Sequence, residues 1–371
     1  MRIAFLSVFY PYRGGIAQFN AHLHEALGED NAVRAFNFTR QYPDFLFPGK
    51  TQYVTPEDKA VPVESTRILD SVHPLTWRRT AREILRWKPD LVVFSYWMSY
   101  FAVSFIPIAA SLRRHGVKVA SVVHNAIPHE PNFFDKPLAR RFFRKNDLLV
   151  SMCDAVTNDI RSLCPDARIV QRPHPVYDHF GERQDKAAAQ ATLSLTPGRR
   201  TLLFFGLIRD YKGLDLLIDA MPLLDDRYQL VIAGECYGSF EKYETQIAAS
   251  GCAERIHVCN RYITDEEVPL FFSAADLCVL PYRSATQSGV TAIAQHFEVP
   301  LVATPVGGLA ESIERPGIGL MTREVSTEAI ADAVRDLYAA GPGTFVENIR
   351  QVKRSQTWPA FANTLLAGLT R

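Results

Sequence analysis

The chain has 371 residues, 47% of them apolar and 22% charged, with a formal net charge of +1. That length predicts two domains, and the balance describes a water-soluble globular protein rather than a disordered or fibrous one. Net charge near zero, with no aromatic-interleaved basic stripe, argues against nucleic acid as a partner.

In chain order, an apolar first strand over 2–8 runs into Tyr10-Pro11-Tyr12-Arg13-Gly14-Gly15. The stretch lacks a small-residue cleavage pattern, so it reads as a strand rather than a leader. Further strands are predicted over 33–37, 91–95, 118–124, 148–151 and 168–171. Two prolines interrupt the pattern at Pro173 and Pro175, which puts a domain boundary near residue 175. A second series follows over 201–206, 229–233, 256–259, 277–280 and 301–304. Helical spacing between the strands predicts parallel sheets covered on both faces, and two doubly wound sheets in tandem fit better than one. The domains expected are 1–175, joined by a terminal helix over 356–371 anchored at Trp358, and 176–355.

Charge divides unevenly between the halves. Residues 1–180 carry 23 Lys and Arg against 17 Asp and Glu, a net of +6, while residues 181–371 carry 18 against 23, a net of −5. A basic first half suits anionic lipid headgroups or a phosphorylated acceptor, or else it is a set of solvated helix faces. The longest apolar run, 101–112, is interrupted by Ser104, Pro107 and Ser111 and is too short to span a bilayer. The six cysteines show no metal or disulfide spacing and read as reduced thiols of a cytoplasmic protein.

Ligands of open parallel sheets bind beyond the carboxyl ends of the strands. Four segments fall there. Gly14-Gly15 lets backbone approach a ligand, or is only a turn. His124-Asn125 closes the 118–124 strand, with His129-Glu130 shortly after. No third group is spaced to make those two a metal site. Gly206, Arg209 and Lys212 follow the 201–206 strand: a glycine permits close approach, arginine offers a planar fork and lysine a point charge, which together suit a diphosphate. The alternative is two solvated surface cations. The fourth segment, Pro281-Tyr282-Arg283-Ser284-Ala285-Thr286-Gln287-Ser288-Gly289-Val290, opens a helix at Thr286 through Gly289 whose amides attract anions, with Ser288 available as a plain cap. Neither a dinucleotide fingerprint nor a P-loop is present.

On the Gly14-Gly15 loop, His124-Asn125, Gly206 through Gly213, Ala275 through Pro281, 299–304 and Gly307-Gly308-Leu309-Ala310-Glu311, the chain resembles glycosyltransferase family 4, over nearly its whole length. The Thr286–Val290 loop marks a subgroup. The resemblance implies the GT-B fold, two Rossmann-like domains facing across a cleft, with an acceptor-side first domain and a nucleotide-sugar-binding second one. It implies a retaining transfer of a hexose from a UDP- or GDP-sugar to a glycan or lipid-linked acceptor in cell-surface polysaccharide or glycoconjugate synthesis. The cysteines and the basic first half, rather than the resemblance, point to a cytoplasmic protein with peripheral contact to the inner face of an anionic membrane through the first domain. No resident cofactor or metal is implied, because cations and helix dipoles stabilise the leaving group. Arg209 and Lys212 would neutralise the diphosphate, and Gly14, Gly15 and the amides near Ser288 and Gly289 would contact phosphates or sugar. His124 would bond the transferred sugar, and Tyr262-Ile263 would flank the base. Two departures stand out. The family arginine usually follows the strand-end glycine directly, a place held by Leu207, and two family glutamates fall on Thr286 and on Ile293 or Ala294. Gln287 and backbone amides are the expected substitutes for the first glutamate. A degenerate nucleotide-sugar-binding protein and a GT-B sugar-nucleotide epimerase are the competing readings. The epimerase would need further acid/base carboxylates, which the sequence does not offer.

Overall fold

A computed structural model describes residues 1–43, 52–54, 61–128, 132–176, 180–285 and 288–370. The chain forms two compact units, Met1–His174 with Thr357–Arg371, and Pro175–Gln356.

In the first unit the strands are β1 (Arg2–Leu6), β2 (Ala32–Arg40), β3 (Ser65–Asp70), β4 (Leu91–Tyr96), β5 (Lys118–Val123), β6 (Leu148–Ser151) and β7 (Ile169–Gln171). They form one parallel sheet in the order β3-β2-β1-β4-β5-β6-β7. The central strands β4, β5 and β6 bury nearly every residue, as a sheet with helices on both faces requires. Asn20, on the helix Gly15–Gly28, ties that helix to β1 and β4 through Ser7 and Ser95 at 2.8 and 2.5 Å. Every buried polar group in that small network has a partner, so it orients the glycine loop without an unpaired cost. The terminal helix Trp358–Thr370 lies against the Gly15–Gly28 helix and the ends of β6 and β7. Its Trp358, Phe361 and Leu365 are buried there.

The second unit holds β8 (Arg200–Phe205), β9 (Tyr228–Ala233), β10 (Ile256–Cys259), β11 (Leu277–Leu280), β12 (Leu301–Ala303) and β13 (Gly319–Met321), parallel in the order β10-β9-β8-β11-β12-β13. Both sheets are doubly wound in the same sense. The strand order reverses between β1 and β4 in one unit and between β8 and β11 in the other, and such a reversal opens a crevice at the carboxyl edge.

Two strands escape sequence reading. β3 is an edge strand, Ser-Thr-Arg-Ile-Leu-Asp, with only Ile68 and Leu69 buried, so it shows no apolar run. β13 is three residues long and starts at a glycine, which carries no β signal. β2 also runs to Arg40, beyond the predicted 33–37, because it pairs with both β1 and β3.

Candidate functional site

At the reversal point of the second unit, β8 is followed by Gly206, whose φ of +97° turns the chain away from the sheet. A single 3₁₀ turn over Asp210–Lys212 follows, closed by Lys212 N–H to Arg209 O at 2.9 Å and Gly213 N–H to Asp210 O at 3.1 Å. Gly213, at φ +64°, then redirects the chain into the helix Leu214–Ala220. A Cβ on Gly213 would lie 2.0 Å from the Pro281 carbonyl oxygen, so the turn packs directly on the loop after β11. This close approach joins two segments that are about 70 residues apart in sequence.

Arg283 fastens the same two loops. Its fork reaches both carboxylate oxygens of Asp215 at 2.7 and 2.5 Å, and it also donates to Asp210 O at 3.1 Å. Burial pushes the Asp215 carboxyl up, but the hydrogen bonds and charge of Arg283 outweigh this and hold it below the usual range. The pair is partly exposed, so Arg283→Ala is expected to cost only about 1 kcal/mol of stability in chemical denaturation. A loss of several kcal/mol would show that the strap does more than join two surface loops.

Lys212 points back over the strand end. It is 9% exposed, and its Nζ lies 3.2 Å from where a Cβ on Gly206 would stand. Val290, at the start of the helix Gly289–His296, flanks the same point. Among the described residues no acceptor or carboxylate meets the ammonium; its neighbour is the Tyr282 ring, 5.5 Å from Nζ to the centroid. Burial, aided by the charge of Arg209 and opposed by Cys278, pulls Lys212 from the ordinary 10.5 down to about 8. The reciprocal partner, Cys278, is pushed up to about 12 by burial and stays a thiol. Arg209 is half-buried with its guanidinium 4.5 Å from the Tyr237 ring centre. Leu207, in the usual place of the arginine, is instead 37% exposed.

Ser288 stands at the N-cap of the Gly289–His296 helix but makes no capping hydrogen bond. Its hydroxyl pairs with that of Tyr282 at 3.2 Å, which corrects the plain-cap alternative. Burial raises the Tyr282 phenol, so it stays protonated and can serve as donor in that pair. One turn on, the buried Thr291 hydroxyl has no partner among the described residues. Thr286 and Gln287 lie outside the described residues, as do His129 and Glu130.

Tyr262 and Ile263 follow β10. Arg261 forks onto Glu267 at 2.7 and 2.5 Å, and Thr264 donates to the same carboxylate through N–H and hydroxyl, both at 3.1 Å. Arg261, with these donors, holds Glu267 down to about 2. The loop is therefore a rigid bracket, with Ile263 buried in it.

In the first unit, Gly14 precedes the Gly15–Gly28 helix at the reversal point after β1. His124 stands at the end of β5, two strands from β1 in the sheet. Its Nε2 is shielded from solvent with no partner among the described residues, and so is Oδ1 of Asn125. Phe19 meets the His124 ring edge to face at 4.7 Å and His174 at 5.1 Å. Burial, then the neighbouring His174, push His124 down to about 3, so it is neutral at physiological pH. Sequence reasoning passed over His174 and Tyr237 as site neighbours, and included Tyr282 and Arg283 in the 281–290 segment without giving them a role. Only the position of Tyr282 and Arg283 just past a strand end marks them.

Two family models match the chain: "Glycosyl transferase 4-like domain" over residues 14–174 and "Glycosyl transferases group 1" over 199–340. The chain belongs to the glycosyl transferases. Among curated relatives of this transferase, a D-inositol 3-phosphate glycosyltransferase of Mycolicibacterium gilvum is 28% identical over 190 residues, 50% of this chain and 43% of that protein. A GDP-mannose:glycolipid 4-beta-D-mannosyltransferase of Xanthomonas campestris is 31% identical over 197 residues, 52% of this chain and 51% of its own. The matched stretch thus spans about half the length of these relatives. Solved structures sharing the fold include a sucrose-phosphate synthase of Thermosynechococcus elongatus, with TM-score 0.74, 18% identity and coverage of 99% of this chain and 97% of that one. Anabaena HepE in complex with UDP has TM-score 0.72, 16% identity and coverage of 99% and 98%. The transferase therefore has the GT-B architecture of two parallel-sheet α/β domains. Among its described residues no group of three or more His, Cys, Asp or Glu is placed to hold a metal ion, and no helix is long and apolar enough to cross a membrane.

Proposed function

We propose that this glycosyl transferase moves a hexose, with retention of anomeric configuration, from a UDP- or GDP-sugar to a glycan or lipid-linked acceptor of cell-surface glycoconjugate synthesis. The observation that carries the reading is the Lys212 ammonium, buried beside Gly206 and a helix start with no anion to neutralise it among the described residues. Burial of an unpaired ammonium costs stability, and an arriving anion that pairs with Lys212 recovers that cost. A diphosphate is that partner. When the bond between the anomeric carbon and the phosphate oxygen breaks, negative charge grows on the departing diphosphate, and Lys212 and Arg209 stabilise it most at that moment. This route asks for no resident metal.

In this reading the second unit binds the donor and the first serves the acceptor. Gly206 gives room for the phosphates, and Ser288, Gly289 and Val290 present helix-start amides. Thr286 and Gln287 take the place of the absent ribose-binding glutamate, and Tyr262 with Ile263 flanks the base. Gly14 and Gly15 bring backbone to the phosphates or sugar. His124, neutral, and Asn125 bond hydroxyls of the transferred sugar; a neutral imidazole does this without adding charge near a carbon that becomes electron-poor. Support for the donor class comes from relatives whose names state it: Anabaena HepE is solved with UDP, and the Xanthomonas enzyme is named for GDP-mannose.

The missing glutamates favour one second reading, a protein that binds nucleotide sugars without turning them over. Thermal melting with UDP, GDP, ADP and dTDP addresses both. One diphosphate at about a hundred times its Kd is expected to stabilise the fold by about 2.7 kcal/mol, with the bare nucleoside inert. No shift with any of them removes the donor reading; a shift without transfer from the matching sugar nucleotide leaves the binding protein.

A further inference from the structure

Past Gly206 the chain does not leave its neighbour at once. Ile208 N–H donates to Glu235 O at 2.9 Å, and Ile208 O accepts from Tyr237 N–H at 3.3 Å. The two bonds make an extra parallel rung between the segments that follow β8 and β9. Gly234 permits this approach, since a Cβ there would lie 2.1 Å from the Gly206 carbonyl oxygen. Ile208 is fully buried, so the alternation of an extended chain sends Leu207 and Arg209 together to the opposite side. Arg209 is thus displaced along the chain without changing sides, about 7 Å beyond Leu207. Its charge is felt at Lys212, which puts both cations by the same strand end.

Something must aim an arginine set that far out. Among the described residues its guanidinium makes no hydrogen bond or ion pair. The carboxylates of the turn and of the helix after it are engaged elsewhere, Asp210 by Lys242 and Asp215 by Arg283. What meets the guanidinium is the Tyr237 ring, 4.5 Å away at its centre. A carboxylate would occupy the donor edge of the fork, whereas an aromatic face leaves the N–H groups directed outward for a phosphate. Tyr237 is 39% exposed and fills no core. Its backbone is nevertheless fixed: its N–H is held by Ile208, Cys236 N–H donates to Asn260 Oδ1 at 3.1 Å, and Phe240 is buried against Tyr243.

We propose that Tyr237 is a positioning residue for Arg209, its ring holding the guanidinium so that the fork meets the diphosphate of the sugar donor. This rests on the donor reading above, and it gives the loop after β9 a part in a site otherwise built by the loops after β8 and β11.

Titration of the full chain with UDP, GDP, ADP and dTDP tests it. The wild type is expected to bind at least one of them. Tyr237→Leu should bind that nucleotide roughly tenfold more weakly, with its melting temperature unchanged when no nucleotide is present. Tyr237→Phe should keep most of the affinity, because the ring face remains. In an Arg209→Met background, Tyr237→Leu should cost less than about twofold, since the ring then has nothing to aim. Tyr237→Trp should also bind, and it places a tryptophan in a unit that has none, so its fluorescence should change as nucleotide is added. No binding of any of the four by the wild type removes the donor reading and this inference with it. Binding that Tyr237→Leu leaves intact, or weakens equally with and without Arg209, overturns the inference alone. So does a loss in Tyr237→Phe as large as in Tyr237→Leu, which would assign the effect to the hydroxyl.

Discussion

A Lys212→Met variant is expected to lose transfer activity by roughly a hundredfold or more while melting at a higher temperature than the wild type. The two effects have one origin. A lysine drawn from 10.5 down to about 8 is charged at neutral pH at a cost of about 3.5 kcal/mol, since each tenfold change in proton affinity is about 1.4 kcal/mol. Methionine fills a similar volume and removes that cost, so a gain of about 2 kcal/mol is expected at pH 7. The pH dependence has a definite sign. Between about 8 and 10.5 the unfolded chain still binds the proton that the folded lysine has released, so wild-type stability rises with pH in that window. The margin of the methionine variant over wild type should therefore shrink as pH climbs from 8. Donor affinity should move the other way and fall above about pH 8, because the neutral amine no longer meets the diphosphate. Calorimetry of both proteins across this range, with donor titrations, measures all three trends. A variant that keeps full turnover removes Lys212 from the mechanism, and one that melts lower shows that the ammonium has a structural partner.

Gly213→Ala is the second large effect, and it acts through the backbone. At φ +64° any side chain is strained, and here the new Cβ would sit 2.0 Å from the Pro281 carbonyl oxygen. That carbonyl is backbone and cannot swing aside, so either the 3₁₀ turn opens or the loop after β11 retreats. A cost of about 3 kcal/mol or more is expected, confined to the second unit. All four tryptophans, at 77, 87, 97 and 358, belong to the first unit, so their fluorescence should hardly register the change. Far-ultraviolet dichroism or calorimetry should show it as an early transition. Donor binding should weaken as well, because the turn that opens is the one that aims Lys212. An unperturbed melt would mean the turn relaxes without disturbing its neighbour.

The sheets were legible from the sequence because a strand covered on both faces must be apolar along its whole length. β4, β8, β9 and β11 announce themselves in this way, and the helical spacing between them gives parallel order. β3 and β13 did not: one is an edge strand half open to water, the other too short to carry a pattern. The family resemblance rested on residues such as Gly14-Gly15 and Gly206 through Gly213, whose order along the chain survives where overall identity is low.

The site divides along the same physical line. Local chemistry is written in the chain: a glycine after an apolar strand, two cations within six residues of it, a histidine where a strand stops. What stands next to each of these is not, because those contacts are made across the sheet between strands far apart in sequence. Nothing near Lys212 in the chain says that Val290 and Tyr282 will bury it, that Arg283 will clamp Asp215, or that Ser288 will turn from its own helix to a tyrosine. Nor does anything near His124 announce Phe19, which packs on its buried ring, or His174, whose charge also lowers its proton affinity. Residue type and order supply charge and shape, whereas desolvation, which turns an ordinary lysine or histidine into a perturbed one, exists only after the sheet has brought β8 beside β11 and set β5 in its place near the Gly15–Gly28 helix.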